Sequence, residues 1–237
     1  MTETQAREKI VNIMRSWVGC HQGDKIHHSI IDTYNKIRPL PMGYRLSYSE
    51  PWCAATVSAA GYLAGMQDIV FPHMNCGYLV SLFNNAGRWV EDDSYIPKPG
   101  DLVIYYWKDT GYGDCNEHAS HVGMVESCDG KKFTVIEGNM GSNSVCGRRT
   151  MEVNGKYIRG FCCPDYESIA TEEEDENMKR YHTFEEIPEW AKPEVKELID
   201  SGALRGSNDG LDLSEDLMRS LIISKRYMDL KLNSISK

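Results

Sequence analysis

The sequence predicts an α+β domain, with a cysteine-bearing helix packed on an antiparallel sheet, followed by a small helical module. Three observations carry this. The run Glu50-Pro51-Trp52-Cys53-Ala54-Ala55-Thr56-Val57-Ser58-Ala59-Ala60 is small and apolar and reads as a buried helix. The segments after Pro97 are β-rich and are separated by Gly- and Asp-bearing turns. Charge then changes along the chain: residues 1–166 carry 16 Lys and Arg against 18 Asp and Glu, leaving 10 against 17 for the remainder. Most of the net charge of −9 therefore belongs to the tail.

In chain order, Thr2-Glu3-Thr4-Gln5 has the pattern of a capping box and should start an amphipathic helix burying Ile10, Met14 and Trp17. The N-terminus lacks the basic and apolar blocks of a secretory signal, and no apolar run reaches transmembrane length. His27 and His28 are expected at the surface. Ser49 is a candidate N-cap for the next helix, Pro51 suits its first turn and Gly65 should end it. Cys53 then lies in the first turn. There the unpaired N–H groups and the positive end of the macrodipole favour thiolate over thiol, lowering its pKa from about 8.5 toward neutrality.

A thiolate attacking a carbonyl needs a histidine to hold its proton, and that ring needs a polar group to fix its tautomer. Lys98-Pro99-Gly100-Asp101 reads as a turn before a buried strand, Leu102 to Trp107. His121-Val122-Gly123-Met124-Val125, a turn around Asp129-Gly130, and Phe133 to Asn139 follow as a hairpin. His121 with Glu137 or Asn139 supplies the partners. A two-residue turn would send Glu137 and Asn139 to the face opposite His121. A three-residue loop Cys128-Asp129-Gly130, with Gly130 left-handed, sets His121 opposite Glu137 and leaves Asn139 on that face. The chemistry demands the second.

Pro51-Trp52-Cys53-Ala54, Val57-Ser58, Pro99-Gly100-Asp101, His121 to Val125 and Val135-Ile136-Glu137-Gly138-Asn139 resemble the CHAP family of cysteine, histidine-dependent amidohydrolases/peptidases. The resemblance implies a papain-like (NlpC-type) fold. It also implies Cys53 as nucleophile, His121 as base, Glu137 and Asn139 as orienting groups, no metal or organic cofactor, and bacterial peptidoglycan as substrate. Many members have Gln just before the nucleophile. Trp52 stands there instead, which leaves the second oxyanion donor open, with the Cys53 N–H as the first. Trp52, Tyr48 and His28 are taken as candidate substrate contacts. With no secretory signal, the resemblance fits a phage or prophage endolysin made in the cytoplasm and released to the wall by a holin.

The competing readings are a zinc site, Cys115-x-x-His118-x-x-His121, without a clear fourth ligand, and a non-catalytic wall-binding protein. Asp92, Asp93, Asp109 and Asp114 lack the spacing of a calcium loop and read as a solvated rim. The eight cysteines lack the spacing of a disulfide framework and are expected free, with adjacent Cys162 and Cys163 facing opposite ways in a strand. No basic, aromatic-interleaved stripe points to nucleic acid, and no membrane anchor is expected.

The expected organisation is a catalytic domain over 1–166, an acidic linker over 167–180 centred on Glu172-Glu173-Glu174-Asp175-Glu176, and a helical module over 181–237. In the module, Ile187-Pro188-Glu189-Trp190-Ala191 should open a helix carrying Val195, Leu198 and Ile199 and closed by Gly202. A second helix should hold Leu217, Leu221, Ile222 and Tyr227. The pattern from Trp190 to Arg219 is similar to a degenerate surface-layer-homology-like module, which implies wall attachment. A dimer contact is the alternative.

Overall fold

In the computed structural model, which describes residues 1–111, 118–171, 179–206 and 210–235, helix α1 (Glu3–Trp17) starts at the expected capping box. The Thr2 hydroxyl accepts from the Gln5 N–H, and the Gln5 side chain accepts from the Thr2 N–H. Ile10, Met14 and Trp17 are buried along it. Helix α2 (Lys25–Tyr34), capped by the Asp24 carboxylate, was not anticipated. Helix α3 (Cys53–Ala64) lies between α1 and α2 on one side and the sheet on the other, and buries nearly every residue. Its N-cap is Trp52, with no side-chain cap, so Ser49 does not have the expected role. Gly65 ends the helix with φ 75°. Helix α4 (Cys76–Asn85) is capped by Asn75, whose side-chain oxygen accepts from the Tyr78 N–H.

Six strands form one antiparallel sheet: β1 (Trp89–Val90), β2 (Leu102–Tyr105), β3 (His121–Cys128), β4 (Lys132–Met140), β5 (Val145–Glu152) and β6 (Ile158–Cys162), in the order β1-β6-β2-β3-β4-β5. Alternation sorts their side chains. Leu102, Ile104, Val122, Met124 and Ile136 join the helices in the main core. Val103, Tyr105, Val125, Val135 and Phe161 form a second cluster on the other face. Cys162 falls in the first cluster and Cys163 packs on the second, as their adjacency predicts. Helices over an antiparallel sheet are the α+β arrangement expected.

The Pro99-Gly100-Asp101 turn ties this sheet to α1. Asp101 is fully buried and accepts from the Arg7 guanidinium (3.0 Å), the Lys98 N–H (2.9 Å) and the Tyr95 hydroxyl (3.1 Å). Arg7 lies over the ring of Tyr166, which is fully buried and donates to the Gly100 carbonyl (2.9 Å). Thr171 donates its N–H to the Met1 carbonyl (3.2 Å). Order thus continues past residue 166, and the chain divides into units Met1–Glu172 and Glu173–Lys237. The acidic run 172–178 lies outside the described residues.

The β3–β4 hairpin corrects the loop expectation. Cys128 pairs with Phe133, so residues 129–132 make a four-residue turn rather than a three-residue one, with Gly130 at φ 89° and the Asp129 carboxylate accepting from the Lys131 and Lys132 N–H groups. Alone, that even-numbered turn would put His121 and Glu137 on opposite faces. A register shift between Val125 and Ser127 leaves Glu126 as the extra residue and restores the facing, so that Met124 pairs with Ile136.

Two glycines let these layers close. A Cβ on Gly123 would lie 2.7 Å from the Glu137 Cγ, and one on Gly138 would lie 2.1 Å from the Thr56 hydroxyl and 2.9 Å from the Trp52 ring. Gly138→Ala should therefore force β4 away from the start of α3, costing about 1–3 kcal/mol as overpacking does. A drop of several degrees in the thermal midpoint, with a larger loss of activity, is the expected result. An unchanged midpoint would show that α3 and β4 are not in tight contact there.

In the second unit, β7 (Arg180–Tyr181) pairs with β8 (Leu213–Ser214), beside α5 (Lys192–Asp200) and α6 (Glu215–Ile235). Helix α5 begins at Lys192, later than expected, because Pro193 fits its first turn; Gly202 follows its end at φ 73°. Tyr181, Ile187, Ala191, Val195, Leu213, Met218 and Ile222 form this unit's core. Helix α6 holds Leu217, Leu221, Ile222 and Tyr227 as expected, with Ile222 buried and Leu217 and Tyr227 exposed. No described helix is long and apolar enough to cross a membrane.

Candidate active site

Cys53 is the first residue of α3 and sits at the helix N-terminus, only 7% exposed. Its sulfur lies 3.8 Å from the Cys76 sulfur, and the His121 ring and the Ala54 N–H both favour its thiolate form. His121 is the first residue of β3, at the end of the sheet reached by α3 through Gly138. Its Nε2 lies 3.1 Å from Glu137 Oε2, which leaves Nδ1 for the thiol. Glu137 is fully buried, and both oxygens are held: Oε1 by the Tyr105 hydroxyl (2.8 Å) and Arg149 Nε (2.8 Å), Oε2 by Arg149 Nη2 (3.1 Å) and His121. Gly123 leaves the space that the Glu137 side chain fills.

These contacts set the charges. The Cys76 thiol, then His121 and the Ala54 N–H, hold Cys53 well below the ordinary thiol value against the opposing effect of burial. Burial also opposes a charged His121, but Cys53 and Glu137 outweigh it and raise the ring to about 9. Burial would raise Glu137, yet His121 and Arg149 bring it below the ordinary carboxylate value. These directions all favour thiolate, imidazolium and carboxylate in series. This state supplies a nucleophile and a proton together.

Of the two candidate orienting groups, Glu137 holds the ring. Asn139 turns its carboxamide oxygen to the Ser144 hydroxyl (2.6 Å), which in turn accepts from Trp52 Nε1 (2.9 Å). Its φ of 57° falls where the β4–β5 ladder shifts register between Glu137 and Met140. It lines a cavity of about 280 Å³ with Trp107, His121, Gly141 and Arg149. A second cleft of about 430 Å³ opens on the thiol, lined by Tyr44, Glu50, Met74, Asn75, Cys76 and Ser120 among others.

Among the expected substrate contacts, Trp52 needs correction. Trp52 is fully buried, edge-on to His27 at 4.8 Å, and supports the start of α3 from below. Tyr48 stacks on His28 at 3.9 Å and donates to Asp32, and neither residue lines either cavity. His27, expected at the surface, is fully buried, its Nδ1 accepting from the Gly23 N–H (3.0 Å). In the alternative zinc reading, Cys115 lies outside the described residues, His118 is exposed, and His121 gives Nε2 to Glu137. No group of three metal-binding side chains occurs among the described residues. Asp114 also lies outside them, and Asp109 is used in capping the N–H groups of Gly111 and Tyr157.

Sequence reasoning missed Tyr105, Arg149 and Cys76. Arg149 had a readable signal: it lies two residues from Gly147, the partner of Glu137 across the β4–β5 ladder, and so shares the face of Glu137. Cys76 had only its position after the Asn75 cap.

Residues 43–139 match the family model of the CHAP domain. No curated protein matches the chain. Among solved structures, the crystal structure of Ly7917 is similar at 14% identity with a TM-score of 0.38. That likeness covers 67% of this chain and 62% of the other.

Proposed function

We propose, with the CHAP domain at residues 43–139 as premise, that this chain is a cysteine amidase or peptidase that hydrolyses an amide bond of bacterial peptidoglycan. The observation that carries the reading is the buried series Cys53, His121, Glu137 between two open cavities. The Cys53 thiolate attacks the carbonyl carbon, and the developing oxyanion is met by the Cys53 N–H at the helix N-terminus. Protonated His121 gives its proton to the departing amine, leaving a thioester on Cys53 and a neutral imidazole. His121 then takes a proton from water, the resulting hydroxide attacks the thioester, and the acid product leaves as thiolate and imidazolium are restored. Glu137, fixed by Tyr105 and Arg149, keeps the ring oriented through both steps.

The bond is that between N-acetylmuramic acid and L-alanine or one within the stem peptide, and the setting is a phage or prophage endolysin that reaches the wall after holin-type release. A protein that only binds walls has no use for a depressed thiol joined to a raised histidine. The test is digestion of purified walls by the reduced protein, with mass spectrometry of the released muropeptides. New amine termini identify the amidase or peptidase and the bond cut. New reducing sugar ends, or sedimentation with walls and no release, overturn the reading.

The second unit is assigned the role of holding the enzyme to the wall or to a second copy. It is small and carries much of the net negative charge, so wall contact would come from apolar and hydrogen-bonding groups rather than attraction to anionic polymers. Trp190, exposed beside Arg219, is a candidate contact. A chain ending at Thr171, which keeps Tyr166 and the Met1 contact, should retain hydrolysis of soluble muropeptides and lose efficiency on intact walls. Equal sedimentation with walls and an equal mass in solution for the truncated and full chains would remove both roles.

A further inference from the structure

The Cys53 and Cys76 sulfurs lie 3.8 Å apart. Each is the first residue of its helix, and both line the same cleft. The hydrolytic cycle uses one thiol. The second is held there firmly: the Ser58 hydroxyl on α3 donates to the His73 carbonyl (2.8 Å) and accepts from the His73 N–H (2.9 Å), while Asn75 caps the helix that Cys76 begins. A disulfide holds its sulfurs at roughly 2.05 Å, so the two must approach by less than about 2 Å.

We propose that Cys53 and Cys76 form a peroxide-driven dithiol–disulfide pair, with Cys53 as the attacking thiolate and Cys76 as the resolving thiol. Cys53 sulfur attacks one oxygen of a hydroperoxide and the O–O bond breaks. For hydrogen peroxide, hydroxide leaves and takes the His121 proton as water, giving Cys53 sulfenic acid. Cys76 sulfur then attacks the Cys53 sulfur, the S–O bond breaks, and the leaving hydroxide takes the Cys76 proton as a second water. Two thiols are oxidised and one peroxide is reduced.

Three features favour this order. An activated thiolate in an open cleft is the first to react. Cys76 is held well above the ordinary thiol value, first by Cys53 and then by burial, so it is not the initial nucleophile. Oxidation of Cys53 removes its negative charge, one of the effects that hold the Cys76 thiol up, so Cys76 becomes easier to ionise once a sulfenic acid is present to attack. The disulfide blocks the nucleophile but also shields it from irreversible oxidation, and a thiol reductant restores it.

The inference needs the thiolate but no substrate, so it can be tested apart from the proposed activity. The reduced full-length chain is treated with a small excess of hydrogen peroxide, remaining thiols are alkylated, and cysteine peptides are mapped by mass spectrometry. The expected result is a linked pair of peptides bearing Cys53 and Cys76, loss of wall hydrolysis, and its return with dithiothreitol. In Cys76→Ser, or in Cys76→Ala if the serine variant does not fold, Cys53 should instead gain oxygen atoms, and dithiothreitol should not reverse the higher oxides. Sulfinic or sulfonic Cys53 in the unaltered protein without the link would overturn the proposal. So would a link joining only Cys20 and Cys146, which are joined by a backbone hydrogen bond (2.8 Å). If the Cys53–Cys76 link forms in a protein that cleaves no wall component, the redox pair stands and the hydrolase reading falls.

Discussion

Cys53→Ala should abolish wall hydrolysis while leaving the fold in place. The substitution removes one sulfur atom from the N-terminal end of α3, where the open cleft absorbs the change, and nothing else in the cleft has the depressed pKa of an activated nucleophile. Losing the nucleophile of such a set costs several powers of ten in rate. Turbidity of a wall suspension checks the rate, and thermal circular dichroism checks the fold. His121→Ala should be nearly as severe. More than about a tenth of the activity remaining in either variant would contradict the assignment, because activity would then not pass through the thiol and its proton carrier.

Glu137→Gln carries the second-largest expected effect and tests the ring's anchor. The side chain keeps its shape but loses the charge that His121 and Arg149 both engage, so kcat/KM should fall by about 10²–10⁴, the range seen when an orienting carboxylate is neutralised. The pH profile should change as well. The working form needs thiolate and imidazolium together, so activity rises as pH passes the depressed pKa of Cys53 and falls as it passes about 9, where His121 loses its proton. Without Glu137 the ring is less basic and the alkaline limb should move to lower pH.

Stability gives an independent readout. Because the folded pKa of Glu137 is lowered, its charge stabilises the native state above the ordinary carboxylate value, and this contribution fades as pH falls through the folded value. The stability gap between the two proteins should therefore narrow in acid. At neutral pH it should stay below the roughly 3–5 kcal/mol of a fully buried broken pair, because Arg149 remains 33% exposed. An unmoved alkaline limb would mean that Glu137 does not act through the ring.

The grouping of Cys53, His121 and Glu137 was legible because the chemistry expected of them and their spacing constrain each other. A cysteine at a helix start, and a histidine and carboxylate that must share one face of a hairpin, leave few solutions. The facing was right although its stated reason was not: Asp129-Gly130 suits three- and four-residue turns alike, and the bulge at Glu126 that restores the register has no local signature. Asn139 has the right position for an orienting group, but its left-handed backbone and the Ser144 hydroxyl turn its carboxamide oxygen elsewhere. Trp52 resembled a substrate platform because burial of an aromatic beside a nucleophile is decided by long-range partners, here His27 and Ser144. Helix α2 escaped notice because His27, polar in sequence, occupies a buried position on its inner face. In the tail, Met218 and Ile222 face inward and Leu217 outward, a choice that period alone does not fix when apolar residues adjoin.

The most direct test of the relay is the rate at which iodoacetamide alkylates Cys53 as a function of pH, followed on its own peptide. The account predicts a half-maximal rate well below the roughly 8.5 of a free thiol, with Cys53 reacting ahead of the buried thiols of Cys76, Cys146 and Cys162, which are held above the ordinary value. In His121→Ala the midpoint should rise. A Cys53 that titrates near 8.5 in the unaltered protein, or one whose midpoint does not move when His121 is removed, would contradict it.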